Sequence, residues 1–225
     1  MAALKNHPVG VCFLLEDFYP IVNGAAIQIM LLAERLVSLG VRVTVITRQI
    51  KPEHPPYETI KGIDVVRVKP AIGLRRIGKY LMLAPALFAL IRQRHNYQFV
   101  IACNMRLLGM LAVVMAKVFG KTSLLRAECC GELDGSFVTQ FGSPPSKYKL
   151  MCIEILIGLR NLVLLRADRF LSISSAITKE FLSGGVSPET IIEITNGIDI
   201  ERFAPVNHET KLRLKKKLGL TAKKY

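Results

Sequence analysis

Short apolar strands alternate with helical patterns along most of this sequence, and this alternation constrains the fold more than any other feature. Residues 9–15 form a short apolar run, and the loop over residues 16–24 contains a proline and an Asn-Gly pair. Over residues 25–39 apolar side chains recur at helical spacing, and Gly40 stands where a helix end favours a residue with positive φ. Residues 41–47 return as a β-branched strand. Such a strand–helix–strand unit predicts a parallel sheet.

The later chain repeats this alternation. The pattern predicts strands over residues 63–68, 99–102, 123–126, 170–173 and 191–194, and helices over residues 75–94, 105–119, 147–166 and 175–182. Residues 51–56 and 132–146 stand outside it as Pro-rich and Gly/Ser/Pro-rich loops. The sequence therefore predicts an α/β fold with a doubly wound, mostly parallel, Rossmann-like sheet over residues 1–205. Residues 206–225 read as a basic linker and the start of a further domain.

The charge of the chain narrows the class of partner. A formal net charge of +14 and a pI near 9.8 favour an acidic partner: a phospholipid surface, a phosphorylated lipid, a nucleotide or a nucleic acid. Nucleic acid is the weakest of these, because the basic residues are spread among helices and the tail without the interleaved aromatic side chains of single-strand binders.

Cysteine usage and apolar run lengths predict a cytoplasmic protein. The five cysteines show no CxxC or Cys/His ligand spacing, which favours reduced thiols. The first residues make a poor signal peptide, and the charge-free runs 80–91 and 107–116 are shorter than the roughly 20 residues that span a bilayer.

Two stretches carry candidate chemistry. Asn23 and Gly24 join the first strand to the first helix, whose N-terminus presents backbone N–H groups to anionic oxygens; the alternative is a simple turn glycine. The second stretch places in order Asp168 before a strand, Ser174 at its end, a Gly-Gly-Val turn, Asn-Gly-Ile-Asp at residues 196–199 and Phe-Ala-Pro at residues 203–205. Each piece alone has a structural explanation as a cap or a turn, but their order and spacing are far more specific.

This second stretch resembles the end of the N-terminal domain of glycosyltransferase family 4, retaining enzymes of the GT-B fold. The opening strand–loop–helix is similar too, with Asn23 in place of the first glycine of a Gly-Gly-Ala segment and Val41 in place of a histidine. The resemblance implies transfer of a sugar from a UDP- or GDP-sugar to a glycan or lipid-linked acceptor, in a cleft between two Rossmann-like domains. It implies that this half receives the acceptor, that a donor-binding domain or chain holds the nucleotide-sugar, and that no metal is required. The isolated chain is then expected to bind no cofactor and to have little transferase activity.

Candidate substrate-binding residues follow from the matched positions and from the carboxyl ends of the predicted strands, where open α/β sheets bind ligands. None is assigned as catalytic, and for the two glutamates the alternative is a solvated loop carboxylate. The candidates are Asn23, Gly24, Asn104, Arg106, Arg126, Glu128, Gly131, Glu132, Ser174, Asn196 and Gly197.

Basic residues bracket the apolar run at residues 81–91. Arg75, Arg76 and Lys79 precede it, and Arg92 and Arg94 follow it. One interpretation is an interfacial helix on an anionic membrane, at its inner face; the alternative is a helix buried on one face of the sheet with solvated ends. A second hypothesis for the whole chain is a non-catalytic acceptor-binding or membrane-recruiting subunit of a split glycosyltransferase.

Overall fold

The computed structural model describes residues 8–74, 77–137, 147–200 and 203–220, and its centre is an eight-stranded sheet. The strands are β1 (Gly10–Leu14), β2 (Arg42–Arg48), β3 (Tyr57–Ile60), β4 (Ile63–Val68), β5 (Phe99–Cys103), β6 (Thr122–Arg126), β7 (Arg169–Ser172) and β8 (Ile191–Glu193). Their order across the sheet is β3-β4-β2-β1-β5-β6-β7-β8. Every neighbouring pair is parallel except β3 and β4. The predicted doubly wound α/β fold is confirmed.

Seven helices connect or follow these strands in the described ranges. They are α1 (Gly24–Ser38), α2 (Gly78–Leu81), α3 (Leu83–Gln93), α4 (Leu108–Phe119), α5 (Lys147–Leu164), α6 (Ser175–Ser183) and α7 (His208–Lys217), with a 3-10 turn at Pro188–Thr190 before β8. α1 ends as the sequence predicts, because Gly40 just beyond it has φ +79°.

Two apolar cores form on opposite faces of the sheet. Alternate side chains of β1 point to opposite faces, so Phe13 packs with Ile29 and Ala33 of α1, whereas Leu14 packs in the cluster that contains Leu90 of α3. The second cluster continues through α4, the end of α5 and α6. Helices on both faces explain why the central strands read as continuous apolar runs.

The predicted single helix over residues 75–94 is wrong. Residues 75 and 76 lie outside the described residues, and the remainder forms α2 and α3 with Met82 between them. Pro85 has no N–H, so it cannot donate the hydrogen bond that a continuous helix would make to the Leu81 carbonyl. The apolar pattern continues across this break, which is why periodicity alone joined the two helices.

Strand β3 was not predicted. It pairs antiparallel with β4 through a two-residue connection, Lys61 and Gly62, which both have positive φ. This is the backbone geometry of a tight hairpin turn. Of the predicted loop over residues 132–146, the part beyond Phe137 lies outside the described residues.

Candidate functional site

A cavity lies at the carboxyl ends of the central strands. β1 pairs with β2 on one side and β5 on the other, so the strand order reverses here, and such a switch point is where open α/β sheets bind ligands. The cavity, called the edge cavity below, has a volume of about 290 Å³. It is lined by Leu15, Glu16, Asp17, Asn23, Gly24, Ala25, Cys103, Asn104 and Glu128. Four of the eleven predicted site residues therefore meet in one place: Asn23, Gly24, Asn104 and Glu128.

Asn23 and Gly24 bring the N-terminus of α1 to the edge cavity. The Asn23 backbone is extended, and its side-chain Oδ1 accepts a hydrogen bond from the Ala26 N–H at 2.8 Å, which caps the helix. No heavy atom lies within 4 Å of where a Cβ on Gly24 would stand, so this backbone is open to a ligand. α1 has no acidic residue in its own first turn, so the positive end of its dipole faces the cavity, where the other charged groups are the carboxylates of Glu16, Asp17 and Glu128. The arrangement suits an anionic or hydroxyl oxygen.

Asn104 and Arg106 follow β5. Asn104 adopts φ +68°, which asparagine tolerates better than most residues, and its Oδ1 accepts from Arg106 Nε at 2.9 Å. The Arg106 guanidinium also lies over the Phe137 ring, 4.2 Å from its centroid. Asn104 lines the edge cavity, whereas Arg106 points into a neighbouring groove.

Arg126, Glu128 and Asn196 form a hydrogen-bonded group behind the edge cavity. The buried Arg126 donates to Glu128 Oε1 at 2.5 Å and to Asn196 Oδ1 at 2.7 Å. Burial raises the pKa of Glu128, and the neighbouring Glu132 raises it further, while the Arg126 guanidinium opposes both. Arg126 thus fixes a carboxylate of the edge cavity and ties it to the segment after β8.

Glu132 holds two loops together. Only 1% of the residue is exposed, and its carboxylate accepts N–H hydrogen bonds from Met105 at 2.9 Å, Glu128 at 3.0 Å and Cys129 at 3.3 Å. Burial raises its pKa, and these backbone donors act in the opposite direction. Glu132 is therefore not a solvated loop carboxylate; it positions the loops after β5 and β6 that carry Asn104 and Glu128.

The other predicted residues lie away from the edge cavity. Gly131 has φ +90° and donates its N–H to Glu180 Oε2 at 2.7 Å. Ser174 caps α6, accepting from the Ile177 N–H at 3.4 Å. Gly197 lies in the exposed segment over residues 194–199, which has no regular secondary structure. Gly131 therefore anchors a loop and Ser174 caps a helix, and none of the three lines the edge cavity.

Two charged residues of the edge cavity were missed. Glu16 and Asp17 directly follow β1, so the rule that selected Asn104 applied to them as well. Asp17 forms an ion pair of 2.6 Å with the buried Arg48 at the end of β2. Glu16 lines both the edge cavity and the neighbouring groove.

Asp168, the aspartate of the sequence pattern, lies at the opposite edge of the sheet. It accepts hydrogen bonds from the Ser123 N–H at 2.8 Å and the Ser123 hydroxyl at 2.7 Å, and pairs with Lys117 at 2.6 Å. It joins the beginnings of β6 and β7 and has a structural role.

The described ranges hold neither a metal-binding cluster nor a membrane-spanning helix. Within them, no group of three or more His, Cys, Asp or Glu side chains is arranged to hold a metal ion. No helix in the described part of the chain has both the length and the apolar composition to cross a membrane.

Comparison with known families decides the assignment. The model of the family described as Glycosyltransferase Family 4 matches residues 22–202, which is most of the chain and includes the pattern at residues 196–199. Of the edge cavity, the match includes the residues from Asn23 onward but not those that follow β1. The chain belongs to glycosyltransferase family 4. No curated protein matches it.

Solved structures of the same fold agree with this family. Sucrose-phosphate synthase from Thermosynechococcus elongatus superposes with a TM-score of 0.70 at 18% identity, over 95% of this chain and 53% of that one. The glycosyltransferase WaaG, involved in lipopolysaccharide biosynthesis, gives 0.59 at 16% identity over 94% and 52%. Anabaena Alr3699/HepE, solved with UDP and glucose, gives 0.57 at 16% identity over 94% and 50%. The family 4 chain therefore has the fold of one half of a GT-B glycosyltransferase and spans about half the length of these proteins.

Proposed function

We propose that this domain forms the acceptor side of a glycosyltransferase that moves a sugar, with retention, from a UDP- or GDP-sugar to a glycan or lipid-linked acceptor. The observation that carries the proposal is the edge cavity, where the N-terminus of α1 and the Glu128 carboxylate face one space at the switch point of a family 4 domain. The related Alr3699/HepE was solved with UDP and glucose, which supports a nucleotide-sugar donor.

In this reaction Glu128 and the N-terminus of α1 have different roles. Glu128, held by Arg126, accepts a hydrogen bond from an acceptor hydroxyl and orients it. The N–H groups at the start of α1 that the Asn23 side chain does not cap face the negative charge that develops on the donor phosphates as the sugar departs. A donor-binding half opposite the cavity supplies the nucleotide-sugar, so we expect the isolated domain to turn over no donor.

Acceptor-dependent sugar transfer tests this proposal. The chain would be joined to, or mixed with, a family 4 donor-binding half, and nucleotide release from several UDP- and GDP-sugars would be followed with candidate acceptors. We expect release only when both halves and an acceptor are present. Donor binding without transfer to any acceptor would instead favour the non-catalytic acceptor-binding or membrane-recruiting subunit.

We also propose that α2 and α3 rest on an anionic membrane surface. Ile77 just before α2, Leu81 at its end and Phe88 of α3 form an exposed apolar stripe, in which Phe88 is 69% exposed. Lys79 and Arg92 lie beside this stripe, where lipid head groups would be. If these helices packed all of their apolar side chains on the sheet, no such exposed apolar stripe would be present.

Vesicle sedimentation tests the membrane proposal. We expect the chain to pellet with vesicles rich in phosphatidylglycerol at low salt, and Phe88→Ser to reduce the bound fraction several-fold. Leu39→Ser is the matched control, because Leu39 is also exposed but lies at the end of α1, on the other face of the sheet. Equal pelleting of both variants would refute the proposed surface.

A further inference from the structure

A second and larger cavity opens beside the edge cavity. It has a volume of about 510 Å³, within the range of small-molecule sites, and lies between α2, the start of α4 and α5. We call it the apolar groove. Its lining from α4 and α5 includes Met110, Ile153, Leu156, Ile157 and Leu159.

The wall contributed by α5 is unusually exposed for such side chains. Leu156 is 65% exposed and Leu159 is 58% exposed, although both are leucines in the middle of a helix. A contiguous exposed apolar surface of this kind typically marks a binding site. An aliphatic chain lying in the groove would cover both leucines.

Three cations meet at the same groove: Lys79, Arg106 and Arg160. Arg160 is half-buried and donates to the Leu133 carbonyl oxygen at 2.6 Å. Burial lowers its pKa, the nearby positive charge of Arg106 lowers it further, and Glu132, Asp134 and Glu180 act in the opposite direction. Two guanidinium groups that repel each other beside an apolar wall are complementary to a phosphate with an apolar substituent.

The apolar groove adjoins the edge cavity. Glu16 lines both, and Arg106 of the groove donates to Asn104 of the edge cavity at 2.9 Å. A ligand with its phosphate at Arg106 therefore has its apolar tail along α5 and the opposite end directed toward Glu128. This is the order of parts in a lipid-linked acceptor: tail, phosphate, sugar.

We propose that the apolar groove binds the phosphate and the first part of the aliphatic chain of a phosphate-linked amphiphilic acceptor. This inference rests on the proposed function and narrows its acceptor from glycans in general to this class. A soluble glycan would need hydroxyl partners along the groove, and the side chains from α5 offer mainly methyl and methylene groups.

Calorimetric titration of the chain with dodecyl phosphate, below its micelle concentration, tests the groove without sugar transfer. We expect one site per chain, and much weaker binding of both inorganic phosphate and neutral dodecyl maltoside. Arg106→Gln should weaken dodecyl phosphate binding about tenfold, and the double variant Leu156→Gln/Leu159→Gln about tenfold or more. Leu162→Gln is the matched control, because Leu162 is 62% exposed on the same helix but does not line the groove.

The outcomes separate the inference from the proposed function. Equal affinity of the double variant and of Leu162→Gln for dodecyl phosphate would refute the groove as its binding site. A change of oligomeric state in the double variant alone would also refute it, and would assign this face to contacts between copies of the chain. If dodecyl phosphate does not bind in the groove but the joined enzyme transfers sugar to a soluble glycan, the groove inference is refuted and the proposed function is retained. If dodecyl phosphate binds as expected but the joined enzyme transfers no sugar, only the proposed function is refuted.

Discussion

Replacing Glu132 by glutamine tests whether this buried carboxylate holds the loops of the candidate site. Its two oxygens accept three backbone N–H bonds, from Met105 to Oε2 and from Glu128 and Cys129 to Oε1. Glutamine is nearly the same shape, but one of its two positions becomes an NH₂ donor. In its better orientation the NH₂ faces Met105, so one buried N–H loses its acceptor.

The expected cost follows from these three hydrogen bonds. An unsatisfied buried donor costs roughly 1–3 kcal/mol, and the other two bonds weaken from charged to neutral. The neutral amide avoids the desolvation that raises the pKa of Glu132, which offsets part of this. We therefore expect a loss of about 2 kcal/mol in the free energy of unfolding, which for a domain of this size lowers Tm by roughly 4–8 °C.

Thermal unfolding followed by circular dichroism, with urea unfolding beside it, measures this change. Glu154→Gln is the control, because Glu154 is an exposed residue of α5 and its substitution should stay within about 0.5 kcal/mol. Amide exchange should also speed up at Met105 and Cys129 in Glu132→Gln. A Tm for Glu132→Gln equal to that of Glu154→Gln would refute the structural role.

Three further substitutions probe other parts of the chain. Asn23→Ala removes the cap of α1 and should cost about 1 kcal/mol in urea unfolding. Burial alone would raise the pKa of Asp168, but hydrogen bonds from Lys117 and Ser123 lower it below its ordinary 3.8. The stability that the carboxylate adds is therefore fully present above pH 3.8 and is lost as the pH falls through the lower pKa of the folded chain. Asp168→Asn should cost about 1–2 kcal/mol at pH 6 and less as the pH falls below 3.8. Gly10→Ala would place a Cβ 2.0 Å from the Asn96 carbonyl oxygen and should cost about 3 kcal/mol.

Each of these has a control. Asn23→Asp retains a capping oxygen, so it should unfold like the wild type, and a loss as large as that of Asn23→Ala would contradict the cap. A cost of Asp168→Asn that is independent of pH would contradict the ionic role. Gly158→Ala, in the middle of α5 with no heavy atom within 4 Å of the new Cβ, should be neutral or stabilising. A similar result for Gly10→Ala would contradict the close approach at Asn96.

Most of the fold was predictable because buried parallel strands and amphipathic helices have different apolar periods. All seven predicted strands are present, since each is a short apolar run between helices or turns. β3 was missed because it has four residues at the sheet edge and is exposed or half-exposed throughout. Its one sequence signal, Lys61-Gly62 between two alternating runs, is the hairpin turn itself.

The candidate site was predictable only where residues directly follow a strand or begin a helix. Asn23, Asn104 and Glu128 satisfy that condition and line the edge cavity. The bond from Arg126 to Asn196 spans 70 positions in sequence and depends on the register of β6, β7 and β8, which no local pattern specifies. Glu132 lies in a polar loop, and its burial follows from donors on two separate loops.

The most direct test of the central claim, that the edge cavity receives the acceptor, is the steady-state kinetics of Glu128→Gln in the enzyme joined to a donor-binding half. The substitution removes the carboxylate that Arg126 holds in the cavity. We expect kcat/KM for the acceptor to fall at least tenfold, or about 1.4 kcal/mol, while donor KM stays unchanged. The domain still folds, with lower stability because the buried Arg126 loses the charge of its partner. A kcat/KM equal to that of the wild type and of Glu154→Gln would contradict the account.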